Sequence, residues 1–408
     1  MKKTNEPKVL RDPIHGYIHV DYQVIWDCIN AKEMQRLKRI HQLGGDFQVY
    51  HTAEHSRFSH SLGVYEIVRR MVYEVKQLNE ELSEYEKIVV VLAGLLHDIG
   101  HGPFSHAFEG ISIYKHEEYT VKIIIEDSEI HQILKSCNPS LPEDVASIIQ
   151  YKHKKECMNQ LVSGQLDADR MDYLLRDAYF TGTSYGKFDL ERILRTLRVV
   201  NGKMVVKASG IHSVEDYIMA RYHMYWQVYL HPVARSYEAL LSLVFRRMKE
   251  VYIEKPEVLK DAKMFHPFLS GKPAGIDALY QLDEPAALYG FSRLINCTDK
   301  ILSDLSYRLL NRKLFDYETL KDESDIERIT AYVKELGYDP AYYVYPDVVS
   351  QKPYSPYKSN EHGHNIWVLE EDGKVKELSR ASDIVRALTK ANLKEEAKVY
   401  YPKEKLNI

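Results

Sequence analysis

The stretch EKIVVVLAGLLHDIGHGPFSH, from Glu86 to His106, decides how the rest of the chain is read. Its first half is apolar almost all round, as expected of a helix buried on several sides. Its second half sets His97, Asp98, His101 and His106 among Gly100, Gly102 and Pro103, residue types that end a helix and redirect the chain. A helix that stops near Asp98 presents unpaired carbonyls and the negative end of its dipole there, which favours cations. Neighbouring helical residues diverge by roughly 100° about the axis, yet His97 and Asp98 can still converge on one ion beside the helix.

Helical periodicity extends on both sides of this stretch. Ile25, Cys28, Ile29, Met34, Leu37 and Ile40 recur at helical spacing, as do Leu62, Tyr65, Val68 and Val72. Further helical patterns run through DADRMDYLLRDAYF and from Ser213 through SVEDYIMARYHMYWQVYL to about residue 335. KVLRDPIHGYIHV, within a hairpin expected over residues 8 to 21, and RVVNGKMVVKASG have the alternation and turn residues of short hairpins, the second around Asn-Gly. After residue 335, YDPAYYVYPDVV, NIWVLEEDGKVKEL and AKVYYP predict strands and SDIVRALTKAN a helix. The expected fold is therefore mainly α: a helical domain over residues 1–335 with short β-hairpins, and a small α+β C-terminal region over 336–408.

The chain has 408 residues, 45% of them hydrophobic and 28% charged, which places it among ordinary globular proteins. A formal charge of -4 argues against a generally basic nucleic-acid binder, so contact with nucleic acid is expected to be weak at most. The four cysteines are too dispersed for a disulfide framework, and no signal peptide or run of about 18 apolar residues is present. A cytoplasmic protein without membrane association is expected.

Two adjacent ligands do not make a stable site, because divalent ions of the Mn, Fe, Ni or Zn type take four to six. HSRFSHSLG supplies His55 and His60, and QLDADRMDYLLRD supplies Asp167, Asp169, Asp172 and Asp177 as further candidates. A single histidine in a helical protein is ordinarily structural or superficial. The clustering of His97, Asp98, His101, His106, Glu109 and His116 between chain-breaking residues is what points to a metal centre.

The His-Asp doublet on a buried helix, with an earlier histidine and a later aspartate, resembles the HD phosphohydrolase superfamily. DPIHGYIHV, MQRLKRIHQLGG, HSRFSHSLGV, LLHDIGHGPFSH and DADRMDYLLRD together resemble its deoxynucleoside triphosphate triphosphohydrolases. The resemblance covers residues 8 to about 245, and no SAM-type module is expected ahead of the first hairpin. It implies a divalent metal ion (Mn, Mg, Fe, Ni or Zn) on His60, His97, Asp98 and Asp169. It implies that His106 acts as general acid beside the scissile phosphate, supported by Glu109 and His116, and that His101 contacts phosphate. Arg57 and Arg170 would clamp phosphate oxygens, and Arg does so bidentately. Tyr173 and Asp177 match the pair that recognises the sugar 3'-hydroxyl. Gln42, Leu43, Arg221 and Tyr229 match residues around the sugar and nucleotide, where Leu43 and Tyr229 would crowd a ribose 2'-position. By residue type alone Leu43 and Tyr229 would be core.

The implied reaction is hydrolysis of a deoxynucleoside triphosphate to deoxynucleoside and inorganic triphosphate. The resemblance also implies a homo-oligomer, commonly a tetramer, with a nucleotide effector at subunit interfaces. Asn30, Gln35 and Lys38 match effector-selecting positions, and only Gln35 keeps the residue of the mammalian SAM-and-HD-domain enzyme. Lys8 and Arg11 could contact effector phosphates, the alternative being a solvated charged face. Another HD-family phosphohydrolase or phosphodiesterase, or a non-catalytic nucleotide-sensing or nucleic-acid-binding homologue, would share the ligands without the sugar-reading helix or the chemistry.

Overall fold

Ser83 opens the central helix, Glu84–Leu96. Its hydroxyl accepts from the Glu86 amide while the Glu86 carboxylate accepts from the Ser83 amide, satisfying two donors that a helix start leaves unpaired. Every residue from Lys87 to Leu96 is buried, as the apolar run predicts. This helix packs against the helices Arg57–Glu74, Leu141–Ile149 and Glu156–Val162. The computed structural model of the chain describes residues 1–351, 365–390 and 394–405, apart from the side chains of His106, Ser350, Gln351 and Lys394. The segment SQKPYSPYKSNEHGHN, whose tyrosines, lysines and polar residues read as a loop between strands, lies over residues 352–364 outside the described residues.

The fold is mainly helical, with nine strands among the described residues. Strands β1 (Lys3–Asp12) and β2 (Gly16–Tyr22) form the N-terminal hairpin, with Arg11 opposite Tyr17. Strands β3 (Leu197–Val200) and β4 (Lys203–Lys207) turn at Asn201 and Gly202, whose φ angles of 52° and 74° suit the two-residue Asn-Gly turn. Strands β5 (Asp316–Thr319), β6 (Tyr345–Gln351), β7 (Trp367–Leu369), β8 (Val375–Glu377) and β9 (Lys394–Tyr401) follow. One sheet has the order β3-β4-β7-β8, with β7 parallel to β4, and the other is antiparallel in the order β5-β9-β6. Strands from both sides of residue 336 pair in each of these sheets.

Three local expectations change. The stretch expected to be helical to about residue 335 contains β5, because Tyr317 and Thr319 find pairing partners in β9 some eighty residues later. The helical stretch expected from Ser213 is broken at a definite place: it divides into Ile211–Met224, a π-helical turn Tyr225–Tyr229, and Pro232–Glu254, where Pro232 opens a new helix. In YDPAYYVYPDVV, Asp339 caps a helical turn Pro340–Tyr343, and the strand starts only at Tyr345. No helix among the described residues is long and apolar enough to cross a membrane.

Candidate active site

Three helices bring the four expected metal ligands together. His60 lies on Arg57–Glu74, His97 and Asp98 end Glu84–Leu96, and Asp169 lies in the first turn of Ala168–Thr181. His60 Nε2 is 3.0 Å from Asp169 Oδ1 and 3.9 Å from Asp98 Oδ2. His97 Nε2 is 3.3 Å from Asp98 Oδ1 and 3.7 Å from Asp169 Oδ1. Asp169 is the most open of the four, with 33% of its side chain exposed against 0% for His60.

Both imidazoles are oriented from behind. His97 Nδ1 is 2.9 Å from the Gly94 carbonyl, which can only accept, so Nδ1 carries a hydrogen and, in the neutral ring, Nε2 has the lone pair. His60 Nδ1 is 2.8 Å from Asp172 Oδ2. Each Nε2 is buried and lacks an aligned hydrogen-bond partner, yet faces carboxylate oxygens. Acceptors facing acceptors repel unless positive charge lies between them. Two imidazoles and two carboxylates fit that charge as a divalent ion, with the nitrogens favouring Mn, Fe, Ni or Zn over an oxygen-preferring Mg.

The proton affinities express the same demand. Burial opposes the His60 imidazolium, but Asp169 and Asp172 outweigh it and push its pKa up to about 10. Burial likewise works against the Asp98 carboxylate, and His97, His101 and Arg57 overcome it, holding Asp98 well below the usual range. Asp169 is lowered against its burial by His60 and His97.

Asp172, one of the carboxylates considered for the metal, stands behind His60 instead. It also accepts from His15 Nε2 at 2.6 Å and from Arg176 Nε and Nη2 at 2.8 and 2.9 Å, and Arg176 Nη1 continues to Asp12 at 2.8 Å. Gly63 makes room for it, because a Cβ there would lie 1.8 Å from Asp172 Oδ1. His15 and Arg176 are functional-site residues that the sequence did not single out. The four-residue spacing of Asp172 and Arg176 on one helical face was the available signal.

Beside the carboxylates, Arg57 Nη1 donates to Asp98 Oδ2 at 2.5 Å, and its Nε and Nη2 reach Ser105 Oγ at 3.2 and 2.7 Å. Ser105 and Phe104 adopt positive φ angles of 50° and 57°, uncommon for non-glycine residues. His101 Nε2 is 3.3 Å from Asp98 Oδ1, and its ring stacks on His116 at 3.8 Å. His116 Nδ1 is 2.5 Å from Glu109 Oε1. Burial and then Arg57 hold the His101 pKa well below the usual value. His106 begins the short helix His106–Glu109, and its side chain lies outside the described residues. Gly100 permits the tight path here, because a Cβ would come within 2.2 Å of the His116 carbonyl.

Asp169, Tyr173 and Asp177 recur every four residues along one helix. Asp177 accepts from Tyr229 OH at 2.8 Å and pairs with His55 Nε2 at 2.7 Å, so His55 belongs to this side and not to the metal group. Tyr173 meets Tyr229 edge to face at 6.1 Å, and Tyr229 closes the π-helical turn, an irregularity common at functional sites. Leu43 is buried; Gln42 accepts from Arg57 Nη2 through its carbonyl at 3.4 Å. Arg170 is engaged by Asp167 and the Gly164 carbonyl, and Arg221 by Gln165 at 3.1 Å, so neither guanidinium is joined to the metal group.

The five residues expected to meet an effector have separate neighbours. Arg11 lies 4.6 Å over the Tyr17 ring, and Lys8 is half-buried on the same strand. Asn30 donates to the Trp26 carbonyl at 2.8 Å and Gln35 to the Ile29 carbonyl at 2.7 Å, while Lys38 lies 4.6 Å over Phe58.

Residues 57–177 match the HD domain model and residues 188–266 the HD associated region. A phosphohydrolase from Bacteroides thetaiotaomicron is 31% identical, with a TM-score of 0.86 over 97% of this chain and 100% of that one. The chain belongs to the HD-domain phosphohydrolase family. An uncharacterized protein of Bacillus subtilis, YwfO, is similar at 45% identity over 98% of this chain and 94% of its own length. A protein of Dictyostelium discoideum named deoxynucleoside triphosphate triphosphohydrolase SAMHD1 homolog is 31% identical, over 63% of this chain and 52% of that protein. This HD-family chain thus spans about half of that relative. The HD match runs from Arg57 to Asp177, so Gln42, Leu43, Arg221 and Tyr229 lie outside it.

Proposed function

We propose that this phosphohydrolase cleaves deoxynucleoside triphosphates, in a metal-dependent reaction, to deoxynucleoside and inorganic triphosphate. The observation that carries the reading is the helix Ala168–Thr181, which contributes Asp169 to the metal group and, two turns on, Asp177 to the pair with Tyr229. One rigid element thereby sets the distance between a reacting phosphate and a sugar hydroxyl.

His60, His97, Asp98 and Asp169 would hold the divalent ion, which supplies Lewis-acid polarisation of the phosphate and a more acidic water. Arg57 neutralises charge that develops on the phosphate oxygens. The bond that breaks joins the α-phosphorus to the sugar O5', and the incoming water oxygen stays with the triphosphate. The departing alkoxide is strongly basic, so His106 is assigned the proton it takes up. Glu109 holds the His116 Nδ1 proton at 2.5 Å, and the stacked His116 and His101 rings keep that side of the site rigid.

Asp177 retains lone pairs beyond those used by His55 and Tyr229, and these accept the 3'-hydroxyl. Leu43 and Tyr229 crowd the position of a 2'-hydroxyl, which makes ribose costly. Arg170 contributes to phosphate binding only by exchanging Asp167 for the substrate. The same reading includes assembly into a tetramer with a nucleotide effector near Lys8, Arg11, Asn30, Gln35 and Lys38.

The test is incubation of the purified protein with each dNTP and each NTP, with Mn or Mg, singly and in mixtures, with identification of the products. Deoxynucleoside plus inorganic triphosphate from dNTPs alone is the expected result. Release of only phosphate or pyrophosphate would overturn the cleavage site, and equal turnover of NTPs would overturn the sugar assignment. Activity in mixtures but not with single dNTPs would identify an effector.

A further inference from the structure

Glu284 lies outside both matched family regions, yet its carboxylate reaches the catalytic turn. It opens the helix Glu284–Leu294, and its side chain is 2% exposed. Glu284 Oε1 accepts from the backbone amide of His41 at 3.1 Å and from that of Phe104 at 3.2 Å. The other oxygen pairs with His41 Nδ1. One buried carboxylate therefore holds two backbone segments: the loop that runs on into Gln42 and Leu43, and the turn that runs on into Ser105 and His106.

The neighbours of Glu284 make the same connection. Leu282 accepts through its carbonyl from Arg36 Nη2 at 2.8 Å, and Arg36 Nη1 donates to the His101 carbonyl at 2.8 Å. Asp283 pairs with Arg39 at 2.5 Å. Leu282–Glu284 is thus clamped to Arg36–His41 on one side and to His101–Phe104 on the other. Phe104 and Ser105 sit at positive φ, and such strained backbone persists only where the surroundings over-determine it. The Phe104 amide is anchored by Glu284 and the Ser105 hydroxyl by Arg57, so the strained pair is held from both ends.

We propose that Glu284 is a positioning residue whose carboxylate holds the Phe104–Ser105 turn in register with the His41–Leu43 loop. This rests on the phosphohydrolase reading above, in which the turn presents the proton donor and the loop contacts the sugar. Glu284 itself touches no substrate. Its removal leaves the metal ligands and Asp177 in place but lets the turn drift, and displacement of a catalytic group is read in kcat more than in KM.

The experiment compares wild type, Glu284→Ala and Glu284→Gln in steady-state hydrolysis, metal content and amide hydrogen exchange. Glu284→Ala is expected to lower kcat about 10- to 100-fold while KM and metal content stay close to wild type. Glu284→Gln keeps one acceptor oxygen and is expected to recover much of that loss. Exchange in the peptide spanning 101–106 should accelerate in the Ala variant, with the helices Glu84–Leu96 and Ala168–Thr181 unchanged. A kcat within twofold of wild type, or a loss matched by metal loss and faster exchange throughout, would overturn the proposal. If wild type hydrolyses no dNTP, the functional reading fails by itself, and local acceleration over 101–106 still decides whether Glu284 holds the turn. If the Ala variant does not fold, Glu284→Asp, which withdraws the carboxylate by one methylene, decides: loss confined to kcat and to exchange over 101–106 supports the role, and wild-type behaviour in both overturns it.

Discussion

Asp172 stands 2.8 Å behind His60, on the side of the ring away from Asp169. It fixes the ring plane and leaves Nε2 directed at the other ligands. Arg176 and His15 hold Asp172 as a carboxylate far below the usual range, against its complete burial. Replacing Asp172 with Asn should weaken divalent-metal binding about 10- to 100-fold, the usual consequence of removing a ligand's supporting partner. Titration of the stripped protein with Mn, followed calorimetrically, checks this; unchanged affinity would show that His60 is oriented by something else.

Gly63 tests the same network by volume. A methyl group there would meet Asp172 Oδ1 at 1.8 Å and Arg176 Nη2 at 2.5 Å, and these side chains are locked by each other. Gly63→Ala should therefore destabilise the fold by about 1–3 kcal/mol or more, and lower metal affinity with it. Thermal denaturation with and without metal separates the two effects.

The Tyr229 hydroxyl donates to Asp177 at 2.8 Å. Tyr229→Phe should raise KM for dNTPs several-fold, because the Asp177 carboxylate loses a donor worth about 1.5–3 kcal/mol in a charged hydrogen bond and no longer holds one orientation. Discrimination against NTPs should fall as well. Identical KM values for wild type and variant would remove Tyr229 from the sugar site.

His41 offers a pH-dependent readout. Its hydrogen bond to Glu284 raises its pKa, with burial opposing. A raised imidazole pKa contributes stability that is fully present below the unfolded value near 6.5 and is lost as pH rises through the folded value. The Tm difference between wild type and His41→Gln should thus be largest near about pH 6 and shrink as pH rises. A difference that grows with pH would contradict the charged pair.

Much of the site was legible because its ligands come in short, chemically distinctive runs. HSRFSHSLG, LLHDIGHG and DADRMDYLLRD contained His60, His97, Asp98 and Asp169 among several candidates, which the family resemblance narrowed to these four, and the Asn-Gly hairpin was legible from its turn residues. What stayed hidden depends on distant pairing. His15 meets Asp172 across 157 residues, and Phe104 meets Glu284 across 180. No local pattern in DPIHG or LDEPAAL encodes those contacts. Strand β5 was missed for the same reason, since DYET is a strand only because β9 lies beside it. Arg170 shows the converse: a cation beside a ligand looks like a phosphate clamp, but the nearest anion is its own helix cap, Asp167.

The central claim is that His60, His97, Asp98 and Asp169 form one metal centre on which hydrolysis depends. The most direct measurement is metal content and dNTP hydrolysis in parallel for wild type and Asp169→Ala, before and after chelation and readdition of Mn. The account predicts that wild type loses activity on chelation and regains it with Mn, and that Asp169→Ala holds little metal and releases no inorganic triphosphate under any condition. An Asp169→Ala protein that hydrolyses dNTPs at the wild-type rate would contradict it.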